Sequence, residues 1–156
     1  MTNANIPFNF RPVKNVPPLE EGLAASGVTI QEGQPLVRKA DGSLSTAVAT
    51  STTIFGYAAH GVTGVTGTRQ KILFYPAIRE MVLEARVKAG TVVNLTEAFG
   101  KPVGLYVSGG SYYVDVTSTS TYCVFNTVGF GGNTSQDLSL AVVRVLTAKS
   151  AWPVAG

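Results

Sequence analysis

Short runs of β-branched and aromatic residues, separated by turn-forming residues, recur from Val28 almost to the end of the chain. There are about ten such runs, at intervals of roughly 8 to 15 residues, which is typical of an all-β protein. Val is the commonest residue with 21 copies, and Ser plus Thr contribute 28. β-branched side chains fit a pleated surface, whereas helical bundles and coiled coils are rich in Leu, Glu, Lys and Ala. The pattern therefore predicts strands and argues against a helical bundle.

No segment has the apolar spacing of an amphipathic helix of three turns. Parallel strands need crossover helices, so we predict antiparallel sheet in a small β-barrel or a sandwich with an extended N-terminal arm. A chain of 156 residues fits one such domain. We divide it into an arm at 1–25, a β-domain at 26–149 and a C-terminal tail at 150–156. The single Trp, Trp152, either latches this tail onto the domain or marks an interface.

Three local patterns predict individual elements. Asp41-Gly42 and Gly109-Gly110 lie between apolar runs and indicate hairpin turns, the first of type I′. Glu80 to Lys88 alternates between apolar and charged residues, which favours a half-buried strand with Glu84 on the solvated face. A short helix is the rival interpretation, because acidic and basic residues also recur there at a spacing of four.

The first 25 residues have a different character from the rest. They contain four of the eight prolines, which exclude a helix and a strand in the centre of a sheet. The same segment is apolar, with Phe8 and Phe10 at the two-residue period of a strand. A solvated tail has no need of two Phe. Two interpretations stay open: the segment folds over its own domain, or it docks on another chain.

The chain is poor in the residues that carry catalysis. It has one histidine, His60, and one cysteine, Cys123, and no Ser stands in a nucleophile-elbow pattern. The nine Asp and Glu show neither metal-ligand spacing nor a calcium-loop pattern. We therefore predict no catalytic residue, no cofactor, no metal and no small-molecule substrate: the protein is not an enzyme.

Charge and hydropathy limit the partners. The net charge is +3, and no basic run is longer than Arg38–Lys39. Base stacking on aromatics needs accompanying Lys and Arg, yet no basic residue lies between Lys101 and Arg144, where four of the six Tyr occur. No apolar run approaches about 18 residues, and residues 1–10 do not form a secretory signal. We expect neither a nucleic-acid nor a membrane partner, and synthesis in a reducing cytoplasm.

Part of the chain resembles a known family. The resemblance covers residues 33 to 87, about a third of the chain, and its motifs are Gly33-Gln34-Pro35-Leu36-Val37, Ile54-Phe55-Gly56-Tyr57-Ala58-Ala59 and Ile72-Leu73-Phe74-Tyr75. With the extended N-terminal arm, these motifs look like those of the head decoration (cement) proteins of tailed bacteriophages, the lambda type. About sixty further residues of strand pattern follow Val87, which departs from that family.

The resemblance implies a structural virion protein made in the cytoplasm of a bacterial host. It would bind the outer surface of the expanded capsid and clamp neighbouring major capsid subunits through its arm, commonly as a homotrimer. The implied partners are the major capsid protein and further copies of this chain. The implied subunit interface involves Phe74, Tyr75 and Trp152. The implied capsid-binding residues of the arm are Ile6, Pro7, Phe8, Phe10, Arg11, Val13, Val16 and Leu19.

Two other functions fit the same composition. A tail or baseplate β-structural protein of the same class of virus would also have few charges and no active site, but would assemble into rings or tubes. A ligand-binding β-domain, such as a carbohydrate-binding one, would use aromatic side chains such as Tyr112, Tyr113 or Trp152.

Overall fold

The computed structural model describes residues 9–88, 102–115, 124–130, 140–146 and 149–152. Across these ranges the regular structure is β, with no α-helix, so none of the described segments forms a helix able to cross a membrane. The eleven strands are β1 (Arg11–Lys14), β2 (Glu20–Leu23), β3 (Pro35–Arg38), β4 (Leu44–Thr46), β5 (Gly56–Ala58), β6 (Lys71–Pro76), β7 (Val82–Arg86), β8 (Pro102–Ser108), β9 (Ser111–Asp115), β10 (Phe125–Phe130) and β11 (Leu140–Val145).

The strands form two antiparallel sheets. The first sheet has the order β1-β7-β11-β10-β8-β9, and the second has the order β2-β6-β5-β3-β4. Isolated parallel bridges outside the strands also join Val87 to Val114 and Ala24 to Leu44. Neither sheet closes into a barrel. The all-β prediction is therefore confirmed, with the sandwich rather than the barrel as its form.

Two groups of buried apolar side chains hold the sheets. The main core takes residues from both sheets, including Tyr57 from β5, Leu83 from β7 and Phe125 from β10. The second core is smaller and is built on the second sheet, with Leu36 from β3 and Phe74 from β6 at its centre. Alternate residues of a strand point to opposite faces of its sheet, so the second sheet contributes side chains to both cores.

Both predicted hairpins are present, and their glycines explain how they turn. Gly109 and Gly110 both have positive φ (59° and 81°), as a two-residue loop of type I′ requires. In the other hairpin only Gly42 has positive φ (87°), and its N–H donates to the Lys39 carbonyl at 2.9 Å. This geometry is a type I turn followed by a left-handed glycine, so the prediction of type I′ at Asp41-Gly42 is wrong.

The segment at Glu80 to Lys88 is a strand, as predicted, with Leu83 and Ala85 facing the main core. One detail differs from the alternating pattern. Glu84 was expected on a solvated face, yet it is only 7 % exposed. The reason is a distant part of the sequence: β1 pairs with β7 and brings Arg11 opposite Glu84.

Candidate interaction surface

The N-terminal segment enters its own domain at Phe10. The Phe10 ring is 2 % exposed and stacks on Phe125 at a centroid distance of 4.9 Å, with Tyr57 at 5.8 Å. The Phe10 N–H donates to the Gly33 carbonyl at 3.0 Å. A Cβ at Gly33 would lie 2.6 Å from the Phe10 carbonyl oxygen, and φ there is +81°, so this close approach requires glycine. Phe10 is therefore a central member of the main core.

Asn9 fixes the same point with polar contacts. Its side-chain amide donates to the Glu32 carbonyl at 3.0 Å, and its Oδ1 accepts the Tyr112 N–H at 3.0 Å. Glu32 precedes β3 of the second sheet, whereas Tyr112 belongs to β9 of the first. Asn9 is itself buried, so its hydrogen bonds replace water for groups that would otherwise lose it. We call Asn9 and Phe10 the anchor.

Arg11 follows the anchor and satisfies a buried charge. Its guanidinium bonds to the Glu84 carboxylate through Nη2, and through Nε at 3.1 Å. The Arg11 side chain is 61 % exposed, whereas that of Glu84 is 9 % exposed. The arginine thus screens a carboxylate that would be costly to bury alone. Sequence reasoning assigned Arg11 to partner binding and did not identify Glu84, because their 73-residue separation leaves no local signal.

The segment after Arg11 exposes its apolar side chains. Val13, Val16, Leu19 and Leu23 are each 44–47 % exposed, and they are four of the six large hydrophobic residues exposed in the described ranges. We call residues 13–23 the exposed stretch. It includes the end of β1 and all of β2, which are edge strands of the first and second sheets. Pro12, Pro17 and Pro18 are compatible with such edges, because proline cannot donate a ladder hydrogen bond.

The residues predicted to bind a capsid therefore separate into three groups. Phe10 and Arg11 are engaged within the chain's own domain. Val13, Val16 and Leu19 are exposed on one continuous stretch. Ile6, Pro7 and Phe8 lie outside the described residues.

The candidate subunit interface is occupied largely by the chain's own contacts. Phe74 is buried in the second core, and its ring lies 5.7 Å from that of Trp152 and 5.5 Å from that of Phe55. Tyr75 is half-buried against the main core. Trp152 follows Ser150, whose Oγ donates to the Ala77 carbonyl at 2.6 Å. The tail is thus attached to the domain through Ser150 and Trp152, and a subunit contact at these residues stays a prediction.

His60, which was considered for catalysis, and two buried tyrosines make contacts within the domain. His60 Nε2 accepts the Leu73 N–H at 3.0 Å, and Nδ1 lies 3.0 Å from the Gly61 carbonyl oxygen. Both ring nitrogens therefore face backbone groups. Burial raises the pKa values of the Tyr57 and Tyr112 phenols, so both rings stay protonated core members. Among the described residues there is no metal-binding group of three His, Cys, Asp or Glu side chains, and Cys123 lies outside them.

Comparison with known proteins adds no relative. No protein-family model matches the chain, and no curated protein matches it.

Proposed function

We propose that the chain is a structural protein of a tailed-phage virion, which binds the outer surface of the expanded head and stabilises it by clamping neighbouring major capsid subunits. The observation that carries the proposal is the exposed stretch. Most of the large apolar side chains that the described residues expose lie on this one segment, at the edges of both sheets. Concentrated exposed apolar surface of this kind usually marks a protein-protein contact.

The stretch offers two kinds of contact to a capsid subunit. Burying Val13, Val16 and Leu19 would contribute roughly 1 kcal/mol or more per side chain, since each is already about half covered. The free sides of β1 and β2 offer backbone groups to an added strand of the partner. Because a capsid presents many identical sites, modest affinity for each subunit becomes firm attachment when one decoration unit clamps several of them.

The anchor supports this function by fixing where the stretch begins. Asn9 and Phe10 hold the chain to both sheets, so the exposed stretch leaves the domain at a defined point. Residues 1–8 precede the anchor and, with Ile6 and Phe8, belong to the proposed capsid-binding segment. Binding only the expanded form of the head would stabilise that form by mass action. A homotrimer would present three such segments around one axis.

The test is co-sedimentation with expanded heads, assembled without decoration protein from the major capsid protein of the phage that carries this sequence, followed by electron microscopy. The wild-type chain is expected at regular three-fold or quasi-three-fold positions. The paired change Val16→Asp with Leu19→Asp should abolish this binding without unfolding the domain. Val48→Asp with Val65→Asp is the matched control, since those residues lie outside the stretch and are slightly more exposed (56 % and 50 %).

Deleting residues 2–19 would not isolate the capsid contact, because it would also remove Phe10 from the main core. Deleting residues 2–8 spares the anchor and asks what the first residues contribute. No binding by the wild-type chain, or its assembly into rings or tubes, would contradict the proposal. Rings or tubes would favour the tail or baseplate alternative.

A further inference from the structure

A cavity of about 370 Å³ opens on the first sheet, beside the start of β7. Its lining consists of Arg79, Glu80, Asn126, Arg144, Val145 and Leu146. Asn126 and Arg144 are paired across β10 and β11, so their backbones are held in register by the sheet. The cavity therefore lies against two paired strands, and two arginines belong to its lining.

The charge around this cavity is predominantly positive. Arg79 donates to the Glu80 carboxylate at 3.0 Å, and Arg144 is the second cation of the lining. Arg144 is exposed, and its positive charge, like that of Arg79, acts on the Glu80 carboxylate. Two arginines and one acid therefore line the cavity, a net positive composition that favours an anionic partner.

The cavity adjoins the exposed stretch. Asn15 donates from its side chain to the Glu80 carbonyl at 3.0 Å, and its backbone is left-handed with φ of 55°. The contact places Val16, a central residue of the stretch, next along the chain from a residue that contacts Glu80 in the cavity lining. A partner seated on the stretch would therefore lie beside the cavity.

We propose that this cavity binds a carboxylate side chain, Asp or Glu, of the protein on which the exposed stretch docks. The inference rests on the proposed function and adds the chemistry of the partner: an acidic residue beside an apolar patch on the major capsid protein. Arginine suits this role because its planar guanidinium can bond both oxygens of a carboxylate. The apolar stretch would supply most of the affinity, and the arginines would supply steering and register.

Charge reversal in the same co-sedimentation assay tests the proposal. Arg144→Glu should weaken binding by roughly tenfold or more at moderate salt, and raising the salt should weaken wild-type binding while narrowing this difference. Lys39→Glu is the matched control, because it makes the same charge change at an exposed position in the β3–β4 turn; we expect less than a twofold effect. Equal binding by Arg144→Glu and wild type would overturn the inference and leave the proposed function standing.

A crosslink identifies the partner group directly. Arg144→Lys keeps the positive charge and adds an amine, which forms an amide with a carboxylate activated by a water-soluble carbodiimide, releasing the urea. We expect a new crosslink from position 144 to an Asp or Glu of the major capsid protein, absent in wild type and located by mass spectrometry. Binding of this variant without that crosslink would contradict the proposal. Binding to double-stranded DNA gives a second possible contradiction. If Arg144→Glu lost binding to DNA but kept its binding to heads, the anion at the cavity would be a nucleic-acid phosphate. Failure of the wild-type chain to bind heads would instead remove the proposed function on which the inference rests.

Discussion

The anchor and the exposed stretch are neighbours in one proline-rich segment, yet they treat apolar side chains in opposite ways. Phe10 is enclosed by Phe125 and Tyr57 in the main core. Val16 and Leu19, a few residues later, are almost half exposed. The difference teaches that the apolar character of this segment has two origins. Phe10 serves folding, whereas the later residues contribute little to folding and are available to a partner.

Replacing Phe10 should have the largest effect and tests most directly whether the anchor and the exposed stretch differ in their contribution to folding. Phe10→Ala should destabilise the domain by about 3–5 kcal/mol, because it removes a fully buried ring and leaves a cavity between the sheets. Urea unfolding monitored by the fluorescence of Trp152 would measure this change. Val16→Ala is the paired variant, and its effect should stay within about 0.5 kcal/mol. If Phe10→Ala and Val16→Ala lowered the free energy of unfolding by similar amounts, the anchor and the exposed stretch would not differ in what they contribute to folding.

Asn9 is the polar part of the anchor and should matter next. Asn9→Ala leaves the buried Tyr112 N–H without its acceptor, so we expect a loss of about 1–3 kcal/mol in the free energy of unfolding. Asn15→Gly is the control in the exposed stretch: it removes a solvent-exposed hydrogen bond but tolerates the left-handed backbone. Its effect should not exceed about 0.5 kcal/mol. Faster amide exchange at Tyr112 in Asn9→Ala alone would locate the damage at this contact.

Arg11 lies between the anchor and the exposed stretch, and replacing it should lower the free energy of unfolding by less. Arg11→Ala leaves the carboxylate of Glu84 poorly compensated, but the arginine is largely exposed, so we expect only about 1–2 kcal/mol of destabilisation. Replacing both partners, Arg11→Met with Glu84→Leu, should recover most of that loss, because no buried charge remains. Lys14→Ala, on the same strand, should be neutral. If the double variant were the least stable of all, the ion pair would be a net source of stability.

The sequence was sufficient for elements set by local chemistry. The alternation from Glu80 to Lys88 identified β7, and Gly109-Gly110 identified the β8–β9 turn. It failed where contacts cross the chain. The burial of Glu84 depends on Arg11, and the closed environment of Phe10 depends on Gly33.

The candidate site was only partly visible for the same reason. The exposure of Val13, Val16 and Leu19 cannot be read from their types, since the same pattern fits a strand that covers its own core. Their free surface follows from the edge positions of β1 and β2, which are set by pairing with β7 and β6. The arginines at the cavity come from residues 79 and 144, and only the sheet brings them together.

The smallest effect expected is that of pH. It distinguishes the anchor from the exposed stretch, because only the latter lies beside ionisable side chains. The anchor has no ionisable side chain. Beside the exposed stretch, the hydrogen bond from Arg79 holds the pKa of Glu80 below its usual value of 4.5, and the positive charge of Arg144 adds to this. A carboxyl with a lowered pKa in the folded state contributes its stabilisation above the unfolded value and loses it as the pH falls through the folded value. Glu80 therefore keeps its charge from pH 8 to pH 5. Head binding and unfolding free energy should both be nearly constant over that range.

Below about pH 4, a partner carboxylate near its ordinary pKa would become neutral, so binding should weaken while Phe10 still holds the domain folded. Co-sedimentation and circular dichroism on the same pH series would measure both, and parallel loss of binding and fold would contradict the separation of the exposed stretch from the anchor.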